Sequence, residues 1–264
     1  MVYSKFLIVA SKEDKAGINI TTQLSQFGDF KFYLPEKEII YTENLDLEKL
    51  EPFDFIIFAS KHESQNKERT LSVHPPGNWR SPDFGGEKLI ACKSSALFFK
   101  QLFAKINENK TNYKLDKYAL SMEATHHGPL IDKPCIFVEI GSTEEEWKDR
   151  KAAFVIAKSI SETISEFKEN PYNEIAIAIG GPHYCPNFNK IQLTSNVAIS
   201  HIIPSYVIPV SEDMIKEAIN KTEEEVDLVL LDWKGLGKAE QRNELLKILD
   251  NLYLQYKKTG EINK

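Results

Sequence analysis

Short runs of apolar residues alternate along the chain with stretches in which apolar positions recur every three or four residues. That alternation is the pattern of strands feeding amphipathic helices. Phe6-Leu7-Ile8-Val9-Ala10 predicts a buried first strand, and Asp14 to Phe27 predicts a helix closed by Gly28. Phe53 to Ala59 predicts a second buried strand that runs straight into Ser60-Lys61-His62. Phe99, Leu102, Phe103 and Ile106 stand at i, i+3, i+4 and i+7, so Ser95 to Ile106 is predicted as a helix with one apolar face. Ile136 to Ile140 predicts a strand ending at Gly141. Thr143, with Glu146 three residues on, is a capping box that predicts a long helix to about Phe167. Ile175 to Ile179, Val197 to Ile203 and Val226 to Asp232 predict three more strands. A C-terminal helix follows, with Leu245, Ile248, Leu249, Leu252 and Tyr256 on one face, and Lys257 to Lys264 reads as a frayed end.

From Glu63 to Glu87 no apolar period is found, and the segment is rich in Ser, Asn, Pro and Gly. A structureless loop of that length in a compact domain is usually functional or disordered. His74 and Trp79 within it, and His62 at its start, favour function. No repeat, coiled coil or low-complexity tract is visible. A chain of 264 residues suits one large α/β domain or two small ones. The order of elements predicts the first: a single compact αβα unit over residues 1–264 with a mostly parallel or mixed sheet. In such sheets ligands bind at the carboxyl ends of the strands.

Composition narrows the picture. Hydrophobic content of 42% and charged content of 27% are ordinary for a soluble globular protein. The apolar run near the start is too short for a signal-peptide core, and none approaches a membrane span. Cys92, Cys135 and Cys185 are odd in number and form neither a disulfide framework nor a CxxC knuckle, so the chain reads as cytosolic. A net charge of −6 argues against a general nucleic-acid coat protein. A local basic rim stays open, because phosphate affinity depends on clustered cations. Lys61, Lys67, Arg69, Arg80, Lys234 and Lys238 are the candidates for it.

All six histidines fall in polar, turn-rich strings. One such residue is more often a surface or capping group, but six together point to a site built on loops at strand ends. Ser60-Lys61-His62 offers a hydroxyl, an ammonium and an imidazole at a strand end, and Pro75-Pro76-Gly77 fixes the backbone beside His74. Glu123, His126 and His127 fit a metal site as well as they fit a surface pair in a turn. Adjacent histidines on an extended segment point to opposite sides, so one of the two at most is expected in a given site. Gly180-Gly181-Pro182-His183 places small residues and then a fixed imidazole past a buried strand. Cys185 reads as a structural thiol. Glu139 ends an otherwise apolar strand and needs a partner, since a lone buried carboxylate is costly. Lys234-Gly235-Leu236-Gly237-Lys238 suits a phosphate at a helix start without being a Walker A loop. His201 serves equally as a further ligand or as a satisfied core residue.

The strings SKHESQNKERTLSVHPPGNW, MEATHHGP, FVEIGSTEEEW, IGGPHYCPNF and DWKGLGKAE, in that order, resemble the archaeal and plant type of D-aminoacyl-tRNA deacylase. The resemblance spans most of the chain. It implies hydrolysis of the ester between a D-amino acid and the terminal ribose of tRNA, zinc dependence, a monomer, and an α/β fold of the phosphorylase/hydrolase-like kind. The motifs then assign His62, His74, Glu139 and His183 to catalysis, and Glu123, His126, His127 and His201 to metal. Ser60, Lys61, Arg69, Arg80, Gly180, Gly181, Lys234 and Lys238 are assigned to substrate. The alternatives are a nucleoside phosphorylase-like transferase and a tRNA- or nucleotide-binding module without turnover.

Overall fold

A computed structural model describes residues 3–43, 47–170 and 173–262. The first half runs β1 (Phe6–Val9), α1 (Lys15–Leu24), β2 (Lys31–Tyr33), α2 (Leu47–Leu50), β3 (Phe55–Glu63), β4 (Thr70–His74), β5 (Gly77–Asn78), β6 (Ile90–Ala91), α3 (Ala96–Asn112) and β7 (Ala119–Met122). The second half runs β8 (Cys135–Ser142), α4 (Glu144–Trp147), α5 (Arg150–Glu166), β9 (Glu174–Ile179), α6 (Pro186–Thr194), β10 (Val197–Ile203), α7 (Glu212–Asn220), β11 (Leu228–Leu231), α8 (Ala239–Asn251) and β12 (Tyr256–Lys258).

The result is a mixed α/β fold, as the alternation predicts, with its strands divided between sheets. A six-stranded sheet has the order β2-β1-β3-β8-β4-β7, a four-stranded sheet the order β10-β9-β11-β12, and β5 pairs with β6. The four-stranded sheet is parallel throughout. In the larger one, β4 runs antiparallel to β8. One continuous apolar core joins them: Ile57 and Val138 of the larger sheet and Ala178 and Ile202 of the smaller belong to the same buried cluster, with Phe98, Phe99 and Phe103 of α3 between. Each fully buried phenylalanine there contributes on the order of 2 kcal/mol. Backbone also crosses from one sheet to the other. Ala124 N–H donates to the His183 carbonyl at 2.8 Å, and Thr125 N–H to that of Ile202 at 3.1 Å.

Three expectations need correction. The 63–87 segment is not a structureless loop: Thr70-Leu71-Ser72-Val73-His74 is buried at all five positions and lies inside the larger sheet. Its alternation, Thr70, Ser72 and His74 against Leu71 and Val73, spans only five residues inside a polar segment, and the polar face is buried as well. The Thr143 box heads the four residues of α4 alone, and Asp149 then starts α5 by accepting from Lys151 and Ala152 N–H. A second cap divides what reads as one apolar period. Tyr256 leaves the helix face and, with Lys257 and Lys258, pairs in parallel with Val229 to Leu231 as an edge strand. Strands β7 and β12 and helices α6 and α7 are too short or too mixed in composition to stand out in the sequence.

Candidate active site

Register places the first group of side chains. Glu139 of β8 pairs with Ser60 on β3 and with Ser72 on β4, so all three point to one face of the sheet. His62 and His74 stand two residues beyond those serines and share that face. Because β3 and β4 run in opposite directions, the two histidines flank Glu139 from either end. His62 Nδ1 lies 3.5 Å, and His74 Nε2 3.8 Å, from Glu139 Oε2. The His74 ring stacks on Phe137, its register partner, with centroids 5.2 Å apart.

The segment after β7 supplies the second group. Glu123 is fully buried, and its Oε2 lies 2.9 Å from His183 Nε2 and 3.5 Å from His126 Nε2. Its Oε1 lies 3.1 Å from His62 Nδ1. A carboxylate accepts hydrogen bonds and cannot donate them, so Nε2 of His183 carries the proton. His183 Nδ1 faces the Tyr206 hydroxyl at 3.3 Å, and His62 Nε2 faces that of Tyr184 at 3.0 Å. Both neighbouring histidines of the 126–127 pair join the cluster, contrary to the expectation for an extended segment. His127 has φ 45°, and this left-handed backbone turns its ring to the side of His126. The His74 centroid lies 4.2 Å from that of His126 and 4.8 Å from that of His127.

Three of these imidazoles are oriented alike. Nδ1 of His74 lies 3.2 Å from the Pro75 carbonyl, Nδ1 of His126 2.9 Å from that of Ala124, and Nδ1 of His127 2.6 Å from that of Gly128. Each carbonyl accepts the Nδ1 proton and turns Nε2 to the cluster, which is how metal-ligating histidines are held. On His126 and His127, held neutral by burial, Nε2 is a lone-pair donor, whereas Glu139 raises the His74 pKa against burial and favours its protonated form. His74 Nε2 and Glu123 Oε1 are buried without a hydrogen bond, Glu123 Oε1 meeting His62 Nδ1 as an ion pair alone. Ligand atoms of His74, His126 and His127 lie within 4.8 Å of one another, as do those of Glu123, His126 and His183, and those of His62, Glu123 and Glu139.

Charge is divided across the cluster. Burial, with the charge of His74 added, holds His126 well below the usual imidazole range and His127 down to about 4. Burial opposes the charge on His62 as well, but Glu139 and Glu123 beside it outweigh this and raise it to about 9. The Glu123 carboxyl stays well below the usual range despite burial, through His183 and His62. Glu139 is likewise held at about 2 by His62 and His74. The group opens into a cleft of ≈ 560 Å³ whose wall includes His62, His126, His127, Glu139, His183 and Tyr184.

His62, His74, Glu123, His126, His127, Glu139 and His183 are thus brought together. His201 is not: it is fully buried, with Nδ1 at 3.2 Å from Thr125 Oγ1 and Nε2 at 3.2 Å from the Lys221 carbonyl. Both ring nitrogens are taken, which removes it from the ligand set. Ser60 and Lys61 line the cleft, but the Ser60 hydroxyl donates to Asp14, and Lys61 pairs with Glu38 at 3.3 Å. Arg69 is paired with Glu145 and Glu146 on the α4 side, and Arg80 donates to the carbonyls of Val207 and Ile208. Gly180 and Gly181 pack against the turn that follows β11: a Cβ on either would come within 3.0 Å of Asp232. Lys234 and Lys238 are exposed in that turn and line neither the cleft nor the cavity beside it. Cys185 is buried and burial pushes its thiol up, as a structural thiol requires. Tyr184 and Tyr206 escaped sequence reasoning, although Tyr184 directly follows His183.

A buried cluster of carboxylates and imidazoles on one face of a mixed α/β sheet, open to one cleft, defines a class of site suited to activating water. A family profile described as D-aminoacyl-tRNA deacylase matches residues 49–257. A protein of that name from Methanocaldococcus jannaschii is 36% identical over 96% of this chain and 99% of its own length. Its namesake from Thermococcus onnurineus is 35% identical over 95% and 98%. A crystal structure described as a conserved protein of unknown function, AF0625, superposes with a TM-score of 0.90 at 29% identity, over 99% of this chain and 98% of that one. The chain belongs to the D-aminoacyl-tRNA deacylase family.

Proposed function

We propose that this protein hydrolyses the ester of D-aminoacyl-tRNA, releasing the D-amino acid and free tRNA, and that it works as a monomeric cytoplasmic enzyme formed from one domain. The observation that carries the reading is the fully buried Glu123 carboxylate behind His62, His126 and His183, which line the cleft, in a chain of this family. The transferase and binding-module alternatives gain no support from the relatives.

The residues fit zinc, which is bound by three or four histidine and carboxylate donors. His74, His126 and His127 would hold it through Nε2, and Glu123, which shares His126 with that trio, would supply the carboxylate. When bound, zinc supplies Lewis-acid polarisation of the ester carbonyl and makes water a better nucleophile. The protein's part is to orient and to move protons. Glu139 takes a proton from the attacking water at a carboxylate oxygen. The water oxygen bonds to the carbonyl carbon, and the bond from that carbon to the ribose oxygen breaks. His62, charged between Glu123 and Glu139, passes a proton from Nε2 through the Tyr184 hydroxyl to the departing ribose oxygen. His183 holds Glu123 in place. A cleft wall that leaves no room for an L side chain sets chirality by clash.

The test is turnover of D- and L-tyrosyl-tRNA with and without a chelator, followed by zinc restoration. Zinc-restored loss of the D-ester alone supports the reading. Equal rates on both esters, or turnover indifferent to chelation, overturn the stereochemical or the zinc part respectively.

A further inference from the structure

Two cavities meet at the histidine cluster. Beside the cleft lies a second of ≈ 400 Å³, bounded by Asn78, Arg80, Asp83, Thr125, Tyr206 and Val207, and Phe84, His126 and His127 belong to both. Their walls differ in charge. Glu13, Asp14, Glu38 and Glu63 stand around Lys61 in the first. In the second, the Arg80 guanidinium, anchored at the edge on the carbonyls of Val207 and Ile208 at 2.8 and 3.1 Å, offsets the charge of Asp83, which accepts from the Ser81 hydroxyl, so this wall carries no net negative charge from them. Two large rings stand open on its rim: Phe84 is 61% and Tyr206 57% exposed. One exposed aromatic is ordinary. Two beside one cavity that abuts a reactive cluster form a surface shaped to be covered.

The substrate has two arms that differ in the same way. The aminoacyl arm carries an ammonium group, and the nucleotide arm carries a phosphate and a flat base. A phosphate within about 8 Å of the acidic wall is repelled with little screening, whereas the ammonium is attracted there. The Arg80 side with its two rings suits the other arm.

We propose that the second cavity holds the terminal adenosine of the tRNA, its base stacked on Phe84 and Tyr206, while the aminoacyl arm enters the cleft. This rests on the deacylase reading above. The ester then falls at the wall shared by the two cavities, beside His126 and His127. Tyr206 also touches His183 through its hydroxyl, so a base seated on that ring is coupled to the Glu123–His183 pair.

The experiment titrates adenosine 5′-monophosphate into the intact protein by calorimetry and, in parallel, measures KM and kcat on D-tyrosyl-tRNA. Stacking on an aromatic ring changes affinity by about 5- to 150-fold per base. Phe84→Ala is expected to weaken nucleotide binding and raise KM by a factor in that range, with kcat within ~3-fold, while Phe84→Trp retains both. Tyr206→Ala is expected to weaken the nucleotide and Tyr206→Phe to keep it, because the ring is retained. Wild-type indifference to the nucleotide, or unchanged affinity and KM in Phe84→Ala and Tyr206→Ala, overturns the proposal. Because nucleotide binding is read without turnover, a protein that binds through Phe84 yet leaves D-tyrosyl-tRNA intact would sink the deacylase reading and leave only a nucleotide site in this cavity.

Discussion

His183 Nε2 lies 2.9 Å from Glu123 Oε2, and the backbone on either side is tied as well, with Ala124 N–H donating to the His183 carbonyl at 2.8 Å. The two residues come from different sheets, Glu123 from the end of β7 and His183 from the turn after β9. The contact that completes the reactive cluster is therefore also the seam between the sheets. Removing the histidine leaves a buried carboxylate short of a donor at that seam, which costs about 1–3 kcal/mol.

His183→Ala is expected to lower turnover on D-aminoacyl-tRNA by ~100-fold or more, the usual loss for a positioned acid, base or ligand. His201→Ala is expected to act on stability, by about 1–3 kcal/mol, since it leaves Thr125 and the Lys221 carbonyl without their partner. Single-turnover rates and urea melts on the two variants separate the effects. Wild-type activity in a folded His183→Ala protein would refute the assignment.

Zinc added to metal-free protein should raise the melting temperature, by ~5–10 °C if free zinc exceeds its Kd about 100-fold. Glu123→Ala and His126→Ala should each reduce the zinc retained after dialysis and shrink that shift. Elemental analysis beside a thermal melt provides the check. Full retention in both variants would place the metal elsewhere.

Burial holds His201 neutral, with its pKa brought down from the ordinary imidazole range to about 4. A depressed folded-state value means the neutral ring favours the fold above pH ~6.5, and the contribution is lost as the pH falls from ~6.5 to ~4, by up to about 3 kcal/mol. His201→Asn should flatten the stability curve across that window relative to wild type. Parallel curves from pH-resolved urea melts would argue against a buried neutral ring.

Gly141 stands opposite His62 in the β3–β8 register, and a Cβ there would lie 2.6 Å from His62 Cδ2 and 2.8 Å from its carbonyl oxygen. Gly141→Ala must push His62 away from Glu139. Turnover is expected to fall ~10- to 100-fold, and stability by about 1–3 kcal/mol for the overpacking. An active variant with an unchanged melt would show that the strand yields without moving the histidine.

Reversing Lys234 and Lys238 should weaken tRNA binding and flatten its dependence on salt, by roughly one unit of slope per lost phosphate contact. Reversing Arg69 should act on stability through Glu145 and Glu146, which already hold it. Affinities measured at several salt concentrations distinguish the two. An identical slope in the Lys234–Lys238 variant would exclude this turn from the tRNA path.

What the sequence determined by itself is what short-range chemistry can encode. Runs such as Phe55 to Ala59 and Ile175 to Ile179 announce buried strands because every side chain is apolar, and the order of motif strings announces the family. The need of Glu139 for a partner also follows from one residue in one strand, since an unpaired carboxylate cannot stay in an apolar core. Tertiary structure decided which groups answer that need. Strand β4 alternates polar and apolar residues over only five positions, and the placement of His74 opposite His62 depends on an antiparallel pairing with β8 that local pattern cannot express. The left-handed turn at His127, which brings two adjacent rings to one side, follows from the backbone around Gly128. His201, inside the apolar strand Val197–Ile203, is excluded because Thr125 and Lys221, 76 and 20 residues away, occupy both ring nitrogens. Long-range packing sets those partnerships, and it assembles one site from histidines that lie in three separate strings of the sequence.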